Sequence, residues 1–455
     1  MKWWRLFLGL LVLPVVALAL LVYLISNVFF SPERLVRNLE HKRNCRASIG
    51  KVEISLFSQP TRVVIHDFAL ATRDDFARQR ISLAERPSLV NPQVSGERFS
   101  LSVSLVPLLL GRLDVQDFIA EGVRAVMDRP EDGDNSLEIL FDKPDKFAKT
   151  SGGGKDDSKE EDDKTIDDLR FALNLKSGQL VDAEFVLNLI DKQTRLHCHQ
   201  LSVKLSDFMA DASDLQGRNS ATIGMRGKVA FDHLEEDLHY GELDLVGVGM
   251  VIPYDRQTRT LEPEVDFNVQ ILEGSRIDTM PLIDAIVDKV ADLDKFGISL
   301  GEIDISGDLA KEAVVVGVYK DELFTLSETA SLAFEDYHFI VNKGSWFNGG
   351  DSEHLFEADI VLAPTATERS LAGVGQFVER KIRVMPAKGF RRLIDKHFVT
   401  NGRLGVQVET KGDIGKPKVR LTNELPDLED LLKDAAEELF RNPDNLLDSL
   451  KSLLK

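Results

Sequence analysis

Apolar and polar residues alternate along most of this chain. In "RFSLSVSLV", Phe99, Leu101, Val103 and Leu105 alternate with Ser100, Ser102 and Ser104, the period of a strand with one apolar face. "VEISL" places Val52, Ile54 and Leu56 on one face, and "RVVIHDFAL" continues extended after a turn at "SQP". The segments "LRFALNL", "QLVDAEFVLNLI", "TRLHCHQLSVKL", "GKVAFDHL", "GELDLVGVGMVI" and "EVDFNVQIL" read alike, and so, beyond Gly297, do "EIDISGDL", "EAVVVGVYK", "HFIVNKG", "LFEADIVLA", "RLGVQVETKGD" and "KVRLT". Turn residues separate them, among them Ser177-Gly178, Gly307-Asp308, Gly349-Gly350 and Gly412-Asp413. The strand–Gly-Asp–strand unit at 302–317 resembles the one at 403–421, a short internal similarity.

Helical spacing interrupts this pattern in few places. Ser31-Pro32-Glu33 reads as a helix start, with an N-cap serine, proline in the first turn and an early acid, and a short helix to about Lys42 follows. "MPLIDAIVDKVADLDKF" puts Leu282, Ile283, Ile286, Val287, Val290 and Leu293 on one stripe. "GFRRLIDKHF" predicts another helix. From Pro426, Leu428, Leu431, Leu432, Ala435 and Leu439 form an apolar stripe, and after Pro443 so do Leu446, Leu447, Leu450, Leu453 and Leu454. Both are amphipathic. The first is expected to cover the open sheet edge after "KVRLT", since an exposed edge invites aggregation.

Phe7–Phe30 contains no charged residue, and about 20 such residues span a bilayer. Ala17-Leu18-Ala19 has the form of a signal-peptidase site, but "LLVYLISNVFF" follows it and is too apolar for a mature N-terminus. The stretch therefore predicts an uncleaved anchor, with Trp3, Trp4 and Tyr23 at its interfaces. Arg34, Arg37, Lys42, Arg43 and Arg46 follow the span, against Lys2 and Arg5 before it. Long domains translocate largely regardless of such a count.

The predicted fold is mainly β with a few helices: an N-terminal transmembrane helix, many antiparallel strands with one apolar face that can close as a barrel, stack as a sandwich or curl into a groove, and amphipathic C-terminal helices. The chain divides into a tip and anchor (1–30), an N-terminal β-region (31–144), an acidic loop expected to be disordered (145–168), the rest of the β-region (169–425) and the terminal helices (426–455). The loop, "DKFAKTSGGGKDDSKEEDDKTIDD", cannot bury apolar area. It lacks the spaced ligands and central glycine of a calcium loop.

Composition excludes some functions. With 56 Lys and Arg against 75 Asp and Glu, the formal charge is −19, and phosphate binding along a nucleic acid needs clustered cations. Cys45 and Cys198 are too few for a disulfide framework; they read as free thiols, with a single disulfide in an oxidising compartment as the alternative. "GISLG", Gly297 to Gly301, fits G-x-S-x-G, but that motif needs a strand before the serine and a helix after it. Here the order is inverted, so the five residues read as a helix C-cap and turn. His197 and His199 of "HCH" share one strand face without further ligands nearby, and a structural metal site needs four. They read as a solvated face with Cys198 turned inward. No P-loop and no dinucleotide fingerprint is present. The chain is expected to be neither an enzyme nor a cofactor carrier.

"SLVPLLLGRLDVQDFIAEGVRAVMDRPEDGDNSLEIL" resembles the N-terminal region of the AsmA-like family of bacterial envelope proteins. The matching positions are Pro107, Leu108, Leu109, Gly111, Val115, Ile119, Gly122, Val123, Arg129, Gly133 and Asn135. The anchor, short helix and "SIGKVEISLFSQPTRVVIHDFAL" resemble the family's start, and "VETKGDIGKPKVRLTNELPDLEDLLKDAAEEL" its end. The resemblance implies a cytoplasmic tip and inner-membrane anchor over 1–30 and a periplasmic, elongated antiparallel β-groove for lipid over 31–144 and 169–425, similar to bridge-like lipid-transfer proteins, taking part in phospholipid traffic and outer-membrane assembly. Expected partners are phospholipid acyl chains, the inner membrane and an envelope protein at the C-terminus, with no nucleic acid. The groove candidates are Phe99, Leu101, Val103, Leu105, Val115, Ile119 and Val123, and the docking candidates are Leu446, Leu447, Leu450, Leu453 and Leu454. The family's largest members are much longer. A membrane-anchored scaffold or assembly factor with a dry core is the alternative.

Overall fold

The computed structural model describes residues 31–55, 60–78, 81–108, 110–130, 134–144, 172–211, 220–236, 238–254, 262–278, 281–299, 306–349, 352–378 and 387–423. The expected anchor Phe7–Phe30, the acidic loop and both C-terminal helices lie outside the described residues. Among the described residues no helix is long and apolar enough to cross a membrane.

The protein is mainly β and forms two compact units. Unit 1 runs to Ile271 and includes Gly317–Leu323; unit 2 holds the rest. In unit 1 the strands are β1 (Cys45–Ser55), β2 (Thr61–Thr72), β3 (Val94–Ser104), β4 (Arg112–Glu121), β5 (Arg124–Arg129), β6 (Ala172–Leu189), β7 (Thr194–Ala210), β8 (Ala221–His233), β9 (His239–Ile252) and β10 (Glu264–Ile271). Its helices are α1 (Pro32–Lys42), α2 (Asp75–Arg78), α3 (Leu105–Leu108) and α4 (Ser136–Phe141). Ser31 caps α1 as its sequence predicts, its hydroxyl accepting from the Arg34 N–H. Asn135 caps α4 in a full capping box with Glu138.

The sheet departs from the expected antiparallel order at one strand. β6 runs parallel to β4 over Arg112–Glu121 and parallel to β5 over Arg124–Arg129. The reason is the connection, because β5 ends at Arg129 and the chain returns to the opposite end of the sheet before Ala172. Parallel neighbours need such a crossover of a dozen or more residues.

A crease crosses the sheet. At one level of the ladder, each of five strands holds a residue that makes no regular pair, Gly50 (β1), Asp67 (β2), Glu97 (β3), Asp182 (β6) and Gln200 (β7), and Gly122 makes none between β4 and β5. Asp67, Gly122, Asp182 and Gln200 adopt positive φ, between 51° and 58°. Gly and Asp tolerate this conformation best. Each strand spends one residue there, so alternation slips and the apolar set stays on one face. In β2 it passes from Val63 and Ile65 to Phe68 and Leu70, and in β6 from Leu180 to Ala183, Phe185 and Leu187.

On one side of the crease, helices close this face. Leu35, Val36 and Leu39 of α1 and Leu140 of α4 are buried with Cys45, Ala47, Leu70, Val94 and Ala125, and Phe68, Leu137 and Phe185 pack against them. Burying each such side chain contributes roughly 1.5–3 kcal/mol. Arg86 and Glu40 form a buried ion pair beside this core, at 2.9 Å.

Unit 2 holds β11 (Arg276–Ile277), β12 (Gly307–Asp308), part of β13 (Ala313–Lys320) and of β14 (Leu323–Leu326), β15 (Ala330–Ala333), β16 (Tyr337–Val341), β17 (Trp346–Asn348), β18 (Glu353–Leu362), β19 (Val399–Thr400), β20 (Arg403–Asp413) and β21 (Lys418–Leu421). Its helices are α5 (Pro281–Val290), α6 (Pro364–Leu371), α7 (Gly373–Phe377) and α8 (Ala387–Phe398). The stripe predicted from "MPLIDAIVDKVADLDKF" turns its Ile286, Val290 and Leu293 into the interior. Among the described residues, α5 is a helix that lies beside the last strand, β21.

Candidate functional site

The groove candidates divide. Phe99, Leu101, Val103, Val115 and Val123 lie on the helix-facing side of the sheet. Val103 pairs with Val115, and Leu101 with Val63 and Phe118. Val123 sits at the crease beside Gly96, over which Phe99 folds to meet Phe68 edge-on, with ring centroids 5.5 Å apart.

Two candidates require correction. Leu105 is not a strand residue: it opens the helical turn α3 and is 39% exposed. The proline two residues on removes an N–H that a continuing strand would use. Ile119 lies on the opposite face, opposite Ser100 and Gln179. The serine face is covered as well. Ser100 and Ser102 are buried, and Arg62 donates from Nε to the Ser100 hydroxyl at 3.0 Å. The docking candidates Leu446, Leu447, Leu450, Leu453 and Leu454 lie outside the described residues.

Four of the five helix-facing candidates are deeply covered, with Leu101 4% exposed, Val103 1%, Val115 1% and Val123 5%, while Phe99 is half-buried. Farther across the sheet the same face opens. Following the registers from Leu101 through Phe118, Gly178 and Leu205 leads to Ile223, Gly249 and Phe267, and the adjacent row leads from Phe99 to Leu180, Val203, Met225, Gly247 and Val269. Directly paired residues share a face. On β8–β10 this face carries Ala221, Ile223, Met225 and Gly227; Leu245, Gly247, Gly249 and Val251; and Val265, Phe267, Val269 and Ile271, with no polar side chain. Its ends are buried, with Val251 and Val265 almost fully covered, while Ile223, Met225, Phe267 and Val269 are only half-buried. The other face of the same strands bears Thr222, Arg226, Glu264, Asp266, Asn268 and Gln270 on β8 and β10, with Val246 and the exposed Val248 and Met250 of β9 between them.

The middle strand of this strip presents backbone rather than side chains. A Cβ on Gly249 would lie 2.5 Å from the Asp266 carbonyl oxygen, and one on Gly247 would lie 3.0 Å from Met225 Cγ. Glycine therefore lets β10 and the β8 side chains draw close over β9. The signal in the sequence is the alternation of "GELDLVGVGMVI" with "EVDFNVQIL", in which every second residue is apolar or glycine.

The "HCH" stretch behaves as its strand alternation predicts. His197 and His199 share the polar face, with rings 5.0 Å apart. His197 Nε2 meets Glu184 at 3.0 Å, and His199 Nε2 meets Glu242 at 3.3 Å. Lys228 donates to Glu242 at 2.7 Å, and this bond holds the Glu242 carboxyl below its ordinary range. Cys198 points the other way, between Phe185 and Val229, and burial pushes its thiol up to about 11. Among the described residues no cluster of ligands fits a metal ion.

No family model, no curated protein and no solved structure matches this chain.

The G-x-S-x-G stretch is described as far as Ser299. Gly297 adopts φ 73° and caps the turn that follows α5. Ser299 N–H donates to the Ser370 carbonyl at 3.0 Å, and Ile298 is fully buried. This is a helix C-cap, as the order of elements predicts.

Proposed function

We propose that this chain is an inner-membrane-anchored lipid-binding or lipid-transfer protein of the AsmA-like type, with its folded part in the periplasm, and that it contributes to phospholipid transport and outer-membrane assembly without enzymatic chemistry. The observation that carries the reading is the uninterrupted apolar face of β8–β10, half-open at Ile223, Met225, Phe267 and Val269, whose opposite face is polar on β8 and β10 and carries Val248 and Met250 on β9. A soluble sheet rarely leaves such a face uncovered without a ligand or partner. From Ala221 to Gly227 the strip runs about 20 Å along β8 at ~3.3 Å per residue. One leaflet of hydrocarbon is about 15 Å deep, so an acyl chain fits its length.

The scaffold reading has its own support. The faces of Leu101, Val103, Val115 and Val123 are closed, as in a dry core.

The full chain is purified and its bound lipids are extracted and quantified. The double variant Met225→Asp/Val269→Asp is expected to lose bound phospholipid about tenfold, since a carboxylate in an apolar contact costs several kcal/mol. Thr222→Asp/Asn268→Asp, on the polar face, is expected to retain it. Equal lipid content in both folded variants removes the strip from the reading, and no bound lipid in any of them favours the scaffold.

A further inference from the structure

The outward face of α1 is basic in a chain of formal charge −19. Leu35, Val36, Leu39 and Glu40 point inward, so the remaining sides of the helix are surface. There Arg34, Arg37, His41, Lys42 and the adjoining Arg43 are exposed, against the single acid Glu33; Arg37 also donates to the Ile81 carbonyl and Arg43 to the Phe141 carbonyl. Arg46, which the sequence groups with them, plays a different part: it is buried and donates to Asp74 at 2.6 Å. The structure thus sorts the positive residues after the apolar stretch into one that builds the core and several that face outward.

We propose that this face of α1 lies on the anionic phospholipid headgroups of the leaflet from which the folded part emerges. Two observations choose this occupant. The uncharged stretch ends at Phe30, one residue before the Ser31 cap, so the helix begins at the level where such a span leaves the hydrocarbon. The charges are also complementary, because juxtamembrane Lys and Arg are attracted to anionic lipid, whereas an acidic surface is repelled. The apolar side of α1 is occupied by Cys45, Ala47 and Leu140, so the helix binds by charge without burying itself in the hydrocarbon. The contact would hold the sheet in one orientation to the membrane. The proposal rests on the reading of Phe7–Phe30 as an anchor, and the test separates the two.

A fluorophore is attached at Glu33→Cys in the full chain, with Cys45 and Cys198 replaced by alanine. The protein is reconstituted into vesicles of phosphatidylcholine alone, or with a quarter phosphatidylglycerol, each containing a headgroup spin-labelled quencher. Quenching is expected to be at least twofold stronger in the phosphatidylglycerol vesicles. That difference is expected to vanish in Arg34→Glu/Lys42→Glu and to shrink in 1 M salt, where the screening length falls to about 3 Å. Equal quenching in both vesicle types, or an undiminished difference in the charge-reversed variant, overturns the proposal. Resistance to alkaline carbonate extraction reports the anchor separately. An extractable protein with lipid-dependent quenching refutes the anchor and upholds the basic face; a resistant protein without it does the reverse.

Discussion

At the residue scale, one histidine and two thiols make the structure testable. His354 of β18 is buried, with Nε2 3.1 Å from the Thr410 hydroxyl, and burial lowers its pKa. A histidine whose folded pKa is depressed is protonated more readily in the unfolded chain, so stability is lost as pH falls below the ordinary value of about 6.5. Unit 2 is expected to melt at lower temperature at pH 5 than at pH 7.5, and His354→Gln is expected to flatten that dependence. Thermal melts of the two proteins across this range check it, and parallel curves would remove His354 as the cause. The thiols offer a second check. Burial raises Cys45 to about 12 and Cys198 to about 11. A thiolate is the reactive form, so both are expected to resist iodoacetamide at pH 8 in the folded protein and to alkylate promptly in denaturant. Rapid native labelling at Cys198 would show that β7 opens.

At the element scale, the strands are more legible in the sequence than the short helices. The alternation of "RFSLSVSLV" predicts β3, but its last apolar residue, Leu105, belongs to α3 because Pro107 cannot serve a ladder. The helix α4 is short, yet "NSLE" at Asn135–Glu138 is a capping-box signature that the periodic reading passes over. The β9 glycines read as weakness in a strand, whereas the structure makes Gly249 a close approach to β10. Gly249→Val is expected to destabilise unit 1 by about 2–4 kcal/mol, because the obstacle is a backbone carbonyl that cannot turn aside. Gly247→Ala is expected to cost less than about 1.5 kcal/mol, since its nearest neighbour is the flexible Met225. Urea unfolding of both variants ranks them, and an inverted order would place the strain elsewhere.

At the scale of the molecule, connectivity changes the meaning of the acidic segment. Composition alone suggests that residues 150–164 can be removed freely, because loop closure depends weakly on length. Asp142 accepts from Asn44 N–H at 2.9 Å, beside the end of the sheet where Cys45 pairs with Thr72. That end is level with Leu187 of β6, while the strand begins at Ala172. The chain after Asp142 must therefore travel back along about 15 residues of strand, ~50 Å. Without 150–164 about 14 residues remain to span it, reaching at most ~50 Å when fully extended. Deleting 152–159 is expected to leave the melting temperature unchanged; deleting 150–164 is expected to lower it, and deleting 146–167 to abolish the parallel pairing. Circular dichroism melts of the series give the answer, and indifference to the longest deletion would mean that β6 does not need its crossover.

The sequence by itself determined the class of this protein, because period-2 alternation is a local property and burial of one face follows from it. It also carried the N-cap at Ser31, the inward stripe of α5 and the outward turn of His197 and His199, each set by residues within a few positions of one another. Even the crease leaves a local trace, since "VVIHDFAL" slips its alternation at His66 and Asp67. Only the tertiary structure showed that slips in strands far apart in sequence fall on one line. It alone made β6 parallel, buried Ser100 beneath Arg62, and put Ile119 on the face away from Leu101. The same apolar residue can line an open strip or a closed core, and alternation is identical in both cases. Leu101 and Met225 follow the same rule along their strands, yet Leu101 is 4% exposed and Met225 half-buried, because burial depends on what the fold packs around each position and not on its place in the alternation.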